Sequence, residues 1–241
     1  LIWFHEPYIC RKYTANPMKP ILRTIVLLTL ALTTAAAVAK PRGVANVYMN
    51  NGTEYKDVTI KCPDGWDKKI EFTDGTTKYK VPSDSIDHLE IWHSENPENV
   101  VYIKYWQWGT YDPKKDKFEP QKDSNRKWFS LEAAGPNLSY WMSLRYVKPG
   151  KKSISMGVTG VPNALNKKGD KYVVIVDQGW RKSVTANWLK AFLADDEKLV
   201  SEITEEGYYN KQAARRQGNI YNPFIYEDLV DDYVPGRKLD K

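Results

Sequence analysis

The chain has 241 residues, a formal net charge of +6, nine Trp, sixteen Tyr and two Cys. Two cysteines exclude a disulfide scaffold, and a mean hydropathy of −0.61 with no late apolar run excludes a polytopic helical membrane protein. Half of the charge lies in the first 39 residues, where Arg11, Lys12, Lys19 and Arg23 stand against Glu6; the +3 left for Lys40–Lys241 reads as evenly spread and argues against nucleic acid.

The first element in the chain is a secretory address. Met18 to Lys40 reads MKPILRTIVLLTLALTTAAAVAK. Lys19 and Arg23 supply a positive n-region, and Ile25 to Leu32 an apolar run too short to span a bilayer. Ala37-Val38-Ala39 supplies the small residues a signal peptidase needs. The expected organisation is an upstream over-extension at 1–17, a signal peptide at 18–39, a β-rich domain at 40–180 and a helical C-terminal segment at 181–241. The alternative is a signal-anchor helix over Ile21 to Val38, which Thr29, Thr33 and Thr34 weaken. No Cys follows the apolar run, so a lipoprotein anchor is disfavoured. The mature chain is expected to be exported without a transmembrane segment and to be periplasmic, outer-membrane-associated or extracellular. Cys10 leaves with the leader and Cys62 remains, expected to be a small buried hydrophobe.

Strands follow. Val44–Met49 leads into the hairpin signal Asn51-Gly52, then Tyr55–Lys61 puts Val58 and Ile60 on one face. Lys69–Phe72, the turn Asp74-Gly75 and Thr77–Val81 make a second hairpin, and Ile86–Trp92 extends the meander. Val100–Trp108 (VVYIKYWQW) is the strongest strand, apolar on both faces. Tyr111 to Asn125 is charged and Pro-containing and is expected to be a solvated loop. Trp128–Glu132, Tyr140–Val147, Ser153–Val158 and Tyr172–Asp177 complete the expected strands.

The period then changes. Ser183 or Thr185 can cap a helix carrying Trp188, Leu189, Phe192 and Leu193, and Asp195 or Asp196 a second with Leu199, Val200 and Ile203. Lys211–Gly218 reads as a basic connection. Asn222-Pro223 has the form of a cap with Pro at the first helical position, opening a helix with Leu229, Val230 and Tyr233 in a stripe. The tail Pro235–Lys241 is expected to be loose.

This layout resembles small exported proteins of Gram-negative envelopes. The matching stretches are Asn51-Gly52, Lys68-Lys69-Ile70-Glu71-Phe72, Ser83-Asp84-Ser85-Ile86, Phe192 to Leu199 (FLADDEKL) and Glu227–Tyr233. The resemblance covers most of the chain after residue 40. It implies export and a β-rich body with short C-terminal helices, and no activity. Tyr111–Asn125 and Gly157–Asp170 depart from the pattern and read as this protein's own specialisation.

Motifs that would carry chemistry are sparse. His88, Glu90 and His93 form a local cluster, but on a strand His88 and Glu90 share a face while His93 points away, so a metal site would need a distant third ligand. Ser124-Asn125-Arg126-Lys127 matches the S-x-x-K spacing of penicillin-recognising enzymes, yet it leads into a strand instead of a helix, and no S-D-N or K-T-G follows. Asp195-Asp196, Glu205-Glu206 and Asp231-Asp232 are sequence neighbours at helix ends, whereas paired catalytic carboxylates usually come from separate elements. Asn51 and Asn137 open glycosylation sequons.

The aromatic surplus is the most suggestive feature. Tyr102, Lys104, Trp106 and Trp108 fall on one strand face with Tyr105 opposite; Tyr140, Trp141, Tyr146 and Trp180 add to it. Such rings either fill the core or stack on sugars or on a partner's side chains. The expected fold is α+β, mainly an antiparallel sheet or partly open barrel followed by two or three short C-terminal helices. The expected function is a non-enzymatic envelope or extracellular protein that binds another protein through a strand edge or the helical C-terminus. The alternatives are a glycan-binding module using Tyr102, Lys104, Trp106 and Trp108, and a hydrolase. No catalytic residue, metal or cofactor is assigned.

Overall fold

The computed structural model describes residues 42–144, 147–149, 154–156, 163–176, 182–206, 209 and 225–239. Strands are β1 (Arg42–Met49), β2 (Glu54–Lys61), β3 (Lys69–Asp74), β4 (Thr77–Pro82), β5 (Ile86–His93), β6 (Asn96–Asp112), β7 (Lys117–Pro120), β8 (Arg126–Ala134), β9 (Leu138–Ser143), β10 (Val147–Pro149), β11 (Ile154–Met156), β12 (Asn163–Lys167) and β13 (Tyr172–Ile175). A 3-10 turn (Ser83–Ser85) joins β4 to β5. The helices are α1 (Lys182–Phe192), α2 (Glu197–Glu202) and α3 (Tyr226–Asp232). The fold is α+β, as the hydrophobic periods predict. No described helix is long and apolar enough to cross a membrane.

One sheet runs in the order β13-β12-β9-β8-β6-β5-β1-β2-β3-β4. Its organiser is β6. On one edge Asn96 to Ile103 pairs antiparallel with β5, and further along Gln107–Gly109 pairs in parallel with Tyr172–Val174 of β13. The other edge takes β8 at Ile103–Gln107 and then β7 at Gly109–Asp112. The parallel pairing joins β6, β8, β9, β12 and β13 into a five-stranded, partly closed barrel.

The two faces of β6 therefore serve different cores, because successive side chains point to opposite faces. Ile103 and Tyr105 join Val47, Ile60, Phe72 and Leu89 under the β1–β5 meander. On the other face, Trp106 and Trp108 pack against Phe129, Trp141, Ala164 and Val173, a cluster that draws on all five barrel strands and is the barrel interior. Helices cover the barrel outside. Leu189, Leu193, Leu199 and Leu229 pack on Tyr140, Leu165 and Val174; each such burial stabilises by roughly 1.5–3 kcal/mol.

Several expectations are corrected. The charged stretch 111–125 is not all loop: Lys117–Pro120 forms β7, held by Phe118, whose ring meets Trp188 and Phe192 at 5.3 and 5.2 Å. β12 and β10 are additional strands. Helix α1 already includes Ser183 and Thr185, so neither caps it. Helix α3 begins at Tyr226 with Ile225 at its N-cap, later than Asn222-Pro223 predicts. Asp196 does cap α2, accepting from the Leu199 amide at 3.0 Å. The tail is not loose through residue 239. Arg237 Nε and Nη2 each donate to Asp196 at 2.8 Å, and the Gly236 amide donates to the Asp195 carbonyl. Lys211–Gly218, Tyr146, Trp180 and the leader lie outside the described residues. Cys62 is buried as expected, and burial pushes its thiol up to about 11.

Candidate functional site

Tyr102, Lys104, Trp106 and Trp108 lie on one face of β6, and all four are half-buried. They are neither open rings nor plain core. Trp106 meets Trp141 edge-on at 5.8 Å, and Tyr102 leans on the same ring at 6.0 Å. The indole N–H groups of Trp106 and Trp108 are buried and have no hydrogen-bond partner among the described residues. A buried donor without an acceptor costs about 1–3 kcal/mol, a cost that the core indole of Trp188 shares.

At the Tyr102 end the face becomes polar. The β1–β5 register slips between Tyr48, opposite His88, and Met49, opposite Ile86. Asp87 is thus unpaired and sits beside His88 on the same side of the sheet. Its carboxylate accepts from Lys104 Nζ at 2.8 Å and lies 2.8 Å from His88 Nδ1. Burial pushes the Asp87 pKa up, but these two hydrogen bonds outweigh it and hold the carboxyl below its ordinary range. His88 is sandwiched between Tyr48 at 4.1 Å and Tyr102 at 4.7 Å. Glu90 shares that face, accepting from Asn46 at 2.9 Å and from the Tyr48 hydroxyl at 3.1 Å. A depression of about 310 Å³ opens beside Tyr48, Asp87 and His88, against the β1–β2 hairpin. Burial and the charges of Asp87 and Glu90 push the Tyr102 hydroxyl up to about 12, so it remains a donor at neutral pH.

At the Trp108 end stands a residue the sequence reading passed over. Trp66 is 59% exposed. The Lys127 ammonium lies 4.0 Å from its ring centroid and 5.0 Å from that of Trp108. Lys127 has no ion pair among the described residues, and its pKa is lowered by burial alone. The loop between β2 and β3 is pinned to hold this arrangement. The Trp128 amide and indole N–H donate to the carbonyls of Gly65 (2.9 Å) and Asp67 (3.0 Å), and Asp67 receives the Asp64 amide at 2.7 Å. Gly65 is required by space: a Cβ there would lie 1.8 Å from the Leu144 carbonyl oxygen.

The result is a strip along β6. It begins at Tyr48, His88 and Tyr102, passes Lys104 and Trp106, and ends at Trp108, Lys127 and Trp66. Two residues advance a strand by about 6.6 Å, so Tyr102 to Trp108 covers about 20 Å. Such a strip presents aromatic rings and the ammonium groups of Lys104 and Lys127, with the indole N–H groups of Trp106 and Trp108 buried beneath. Ser124 lies in the turn before β8, and Lys127 is occupied between two indoles, so S-x-x-K does not form the helical Ser/Lys pair that acyl transfer needs. Among the described residues no three His, Cys, Asp or Glu side chains are grouped to hold a metal.

Comparisons with protein-family models, with curated proteins and with solved structures give no match for this chain. The fold and this strip are therefore what define the class of protein: an α+β barrel-and-meander with an aromatic strip and two lysines along β6.

Proposed function

We propose that this is an exported, non-enzymatic envelope or extracellular protein that binds a glycan along the β6 face. The leader-like segment at 18–39 and the resemblance to Gram-negative envelope proteins supply the export half of the reading. The binding half rests on one observation, the Lys127 ammonium held between exposed Trp66 and half-buried Trp108. Flat rings beside fixed donors are what a sugar needs, since its C–H face stacks and its hydroxyls hydrogen-bond. Trp106, Lys104 and the Asp87–His88 pair continue the strip.

The other expectation, a protein partner at the helical C-terminus or a strand edge, has less to support it. The apolar faces of α1–α3 are spent in their own core, and the edge strand β4 carries Lys78, Lys80 and Pro82, which blunt an edge against strand addition.

Affinity electrophoresis through gels cast with a panel of polysaccharides tests the proposal. Retardation by at least one neutral glycan, lost in Trp66→Ala and in Lys127→Ala, is expected. Retardation by none of the panel, or retardation that both variants keep, would overturn it.

A further inference from the structure

The sequence reading expects the charge after residue 40 to be evenly spread; the sheet gathers it. On the outer face of β2–β4, Lys61, Glu71 and Lys80 are neighbours, and Glu71 accepts from both lysines, from Lys80 at 2.8 Å. A depression lies on either side of this bridge. One, of about 320 Å³, is bounded by Arg42, Thr59, Thr73 and Lys78; the other, of about 420 Å³, by Asp67, Lys68 and Lys69. Six cations thus line one groove with two carboxylates. Arg42, Lys68, Lys69 and Lys78 carry no ion pair among the described residues. The six cations exceed the two carboxylates by four, more than the +3 of Lys40–Lys241, so the rest of that segment sums to −1.

The groove adjoins the strip. Asp67 and Lys68, which line its second half, directly follow Trp66 in the pinned loop, so the Cα atoms of Trp66 and Lys68 are at most about 7.6 Å apart. None of the exposed large apolar residues Trp66, Val100, Val184, Val234 and Leu239 lines the groove, so it is shaped for anions and not for acyl chains.

We infer that the ligand is an acidic polysaccharide, whose carboxylate, sulfate or phosphate groups occupy the Arg42–Lys80 groove while a sugar ring stacks on Trp66. This rests on the glycan reading and adds the charge class of the ligand. Lys78 and Lys80 sit exposed on an edge strand, so reversing them leaves the core untouched.

The test is fluorescence anisotropy of the full chain with labelled dextran sulfate over a range of salt, for wild type, Lys78→Glu/Lys80→Glu and the milder Lys78→Gln/Lys80→Gln. Uncharged dextran, vesicles of phosphatidylglycerol and phosphatidylcholine, and a single-stranded oligonucleotide are measured alongside. Dextran sulfate is expected to bind more tightly than any of these. The charge reversal should lower its affinity by about tenfold or more at low salt and flatten the slope of log affinity against log salt by about 2, since two fewer cations release counterions. The Gln pair should fall in between. Unchanged dextran sulfate binding in the charge-reversed protein would overturn the inference and leave the neutral-glycan result with Trp66→Ala standing. Equal or tighter binding to the vesicles or the oligonucleotide would overturn the assignment to a polysaccharide.

Discussion

Gly65 shows how one residue places another. It lies 1.8 Å, measured from an ideal Cβ, from a backbone oxygen that cannot retreat. Gly65→Ala should destabilise by about 1–3 kcal/mol through overpacking and should also displace Trp66 from Lys127. Urea denaturation checks the first effect and the Trp66 emission spectrum the second. Asp196 is a second such residue. It is fully buried and satisfied by Arg237, the Val234 amide and the Leu199 amide. Removing one partner of a buried pair strands the other, so Asp196→Ala should cost about 3 kcal/mol, a fall in Tm of about 6–12 °C at this chain length. Burial pushes the Asp196 pKa up, but Arg237 and the two amides win and hold it low. A depressed folded pKa stabilises fully above the unfolded value near ~3.9, and the gain is lost as pH falls through the folded value. Stability should be level from neutrality to about pH 5 and fall below that, and Asp196→Asn should shrink the fall. A series of urea midpoints against pH measures it.

Elements divide into those that local pattern specifies and those that distant partners specify. The hairpins around Asn51-Gly52 and Asp74-Gly75 were legible because turn chemistry and alternation agree, and Gly52 does take the positive φ of +83° that its turn requires. The helix at Glu197–Glu202 was legible from its cap. β12 was not, because NALNK carries no strand pattern. It is a strand because its polar side chains find partners inside the fold. Asn163 accepts from the Tyr140 hydroxyl at 2.8 Å, and Asn166 donates to the Tyr172 carbonyl at 2.7 Å. Asn166→Ala should therefore loosen β13, the strand that closes the ring. Faster amide hydrogen exchange at Val173 and Val174, with Ile103 unchanged, is the expected readout. The bulge that turns Asp87 toward His88 and Lys104 was equally hidden, since a register slip depends on the opposing strand.

At the scale of the molecule, β6 joins two cores that face opposite ways, and the aromatic strip runs along the side that faces the barrel interior. The sequence marked Tyr102, Lys104, Trp106 and Trp108 as one face, and they are. Lys127 stood out only in the S-x-x-K spacing, and nothing joined it to Trp66; the two are brought together by a loop hydrogen-bonded to a strand some sixty residues on. Nor did the sequence show that a modest net charge is concentrated over β2–β4, because that needs the register of three strands. Lys127 adds a prediction of its own. Its burial lowers its pKa, so glycan affinity should decline on the alkaline side before ordinary lysines titrate near ~10.4. Affinity measured against pH, with Lys127→Arg as the variant that keeps its charge, tests this.

The central claim is that this strip receives a ligand. The most direct measurement follows the Trp indole N–H resonances of the full chain by NMR as a retained glycan is titrated in. Binding along the strip should shift Trp66, Trp106 and Trp108, with Trp128 unmoved because its N–H is already bonded to the Asp67 carbonyl. Shifts confined to other tryptophans, or none at saturating glycan, would contradict it.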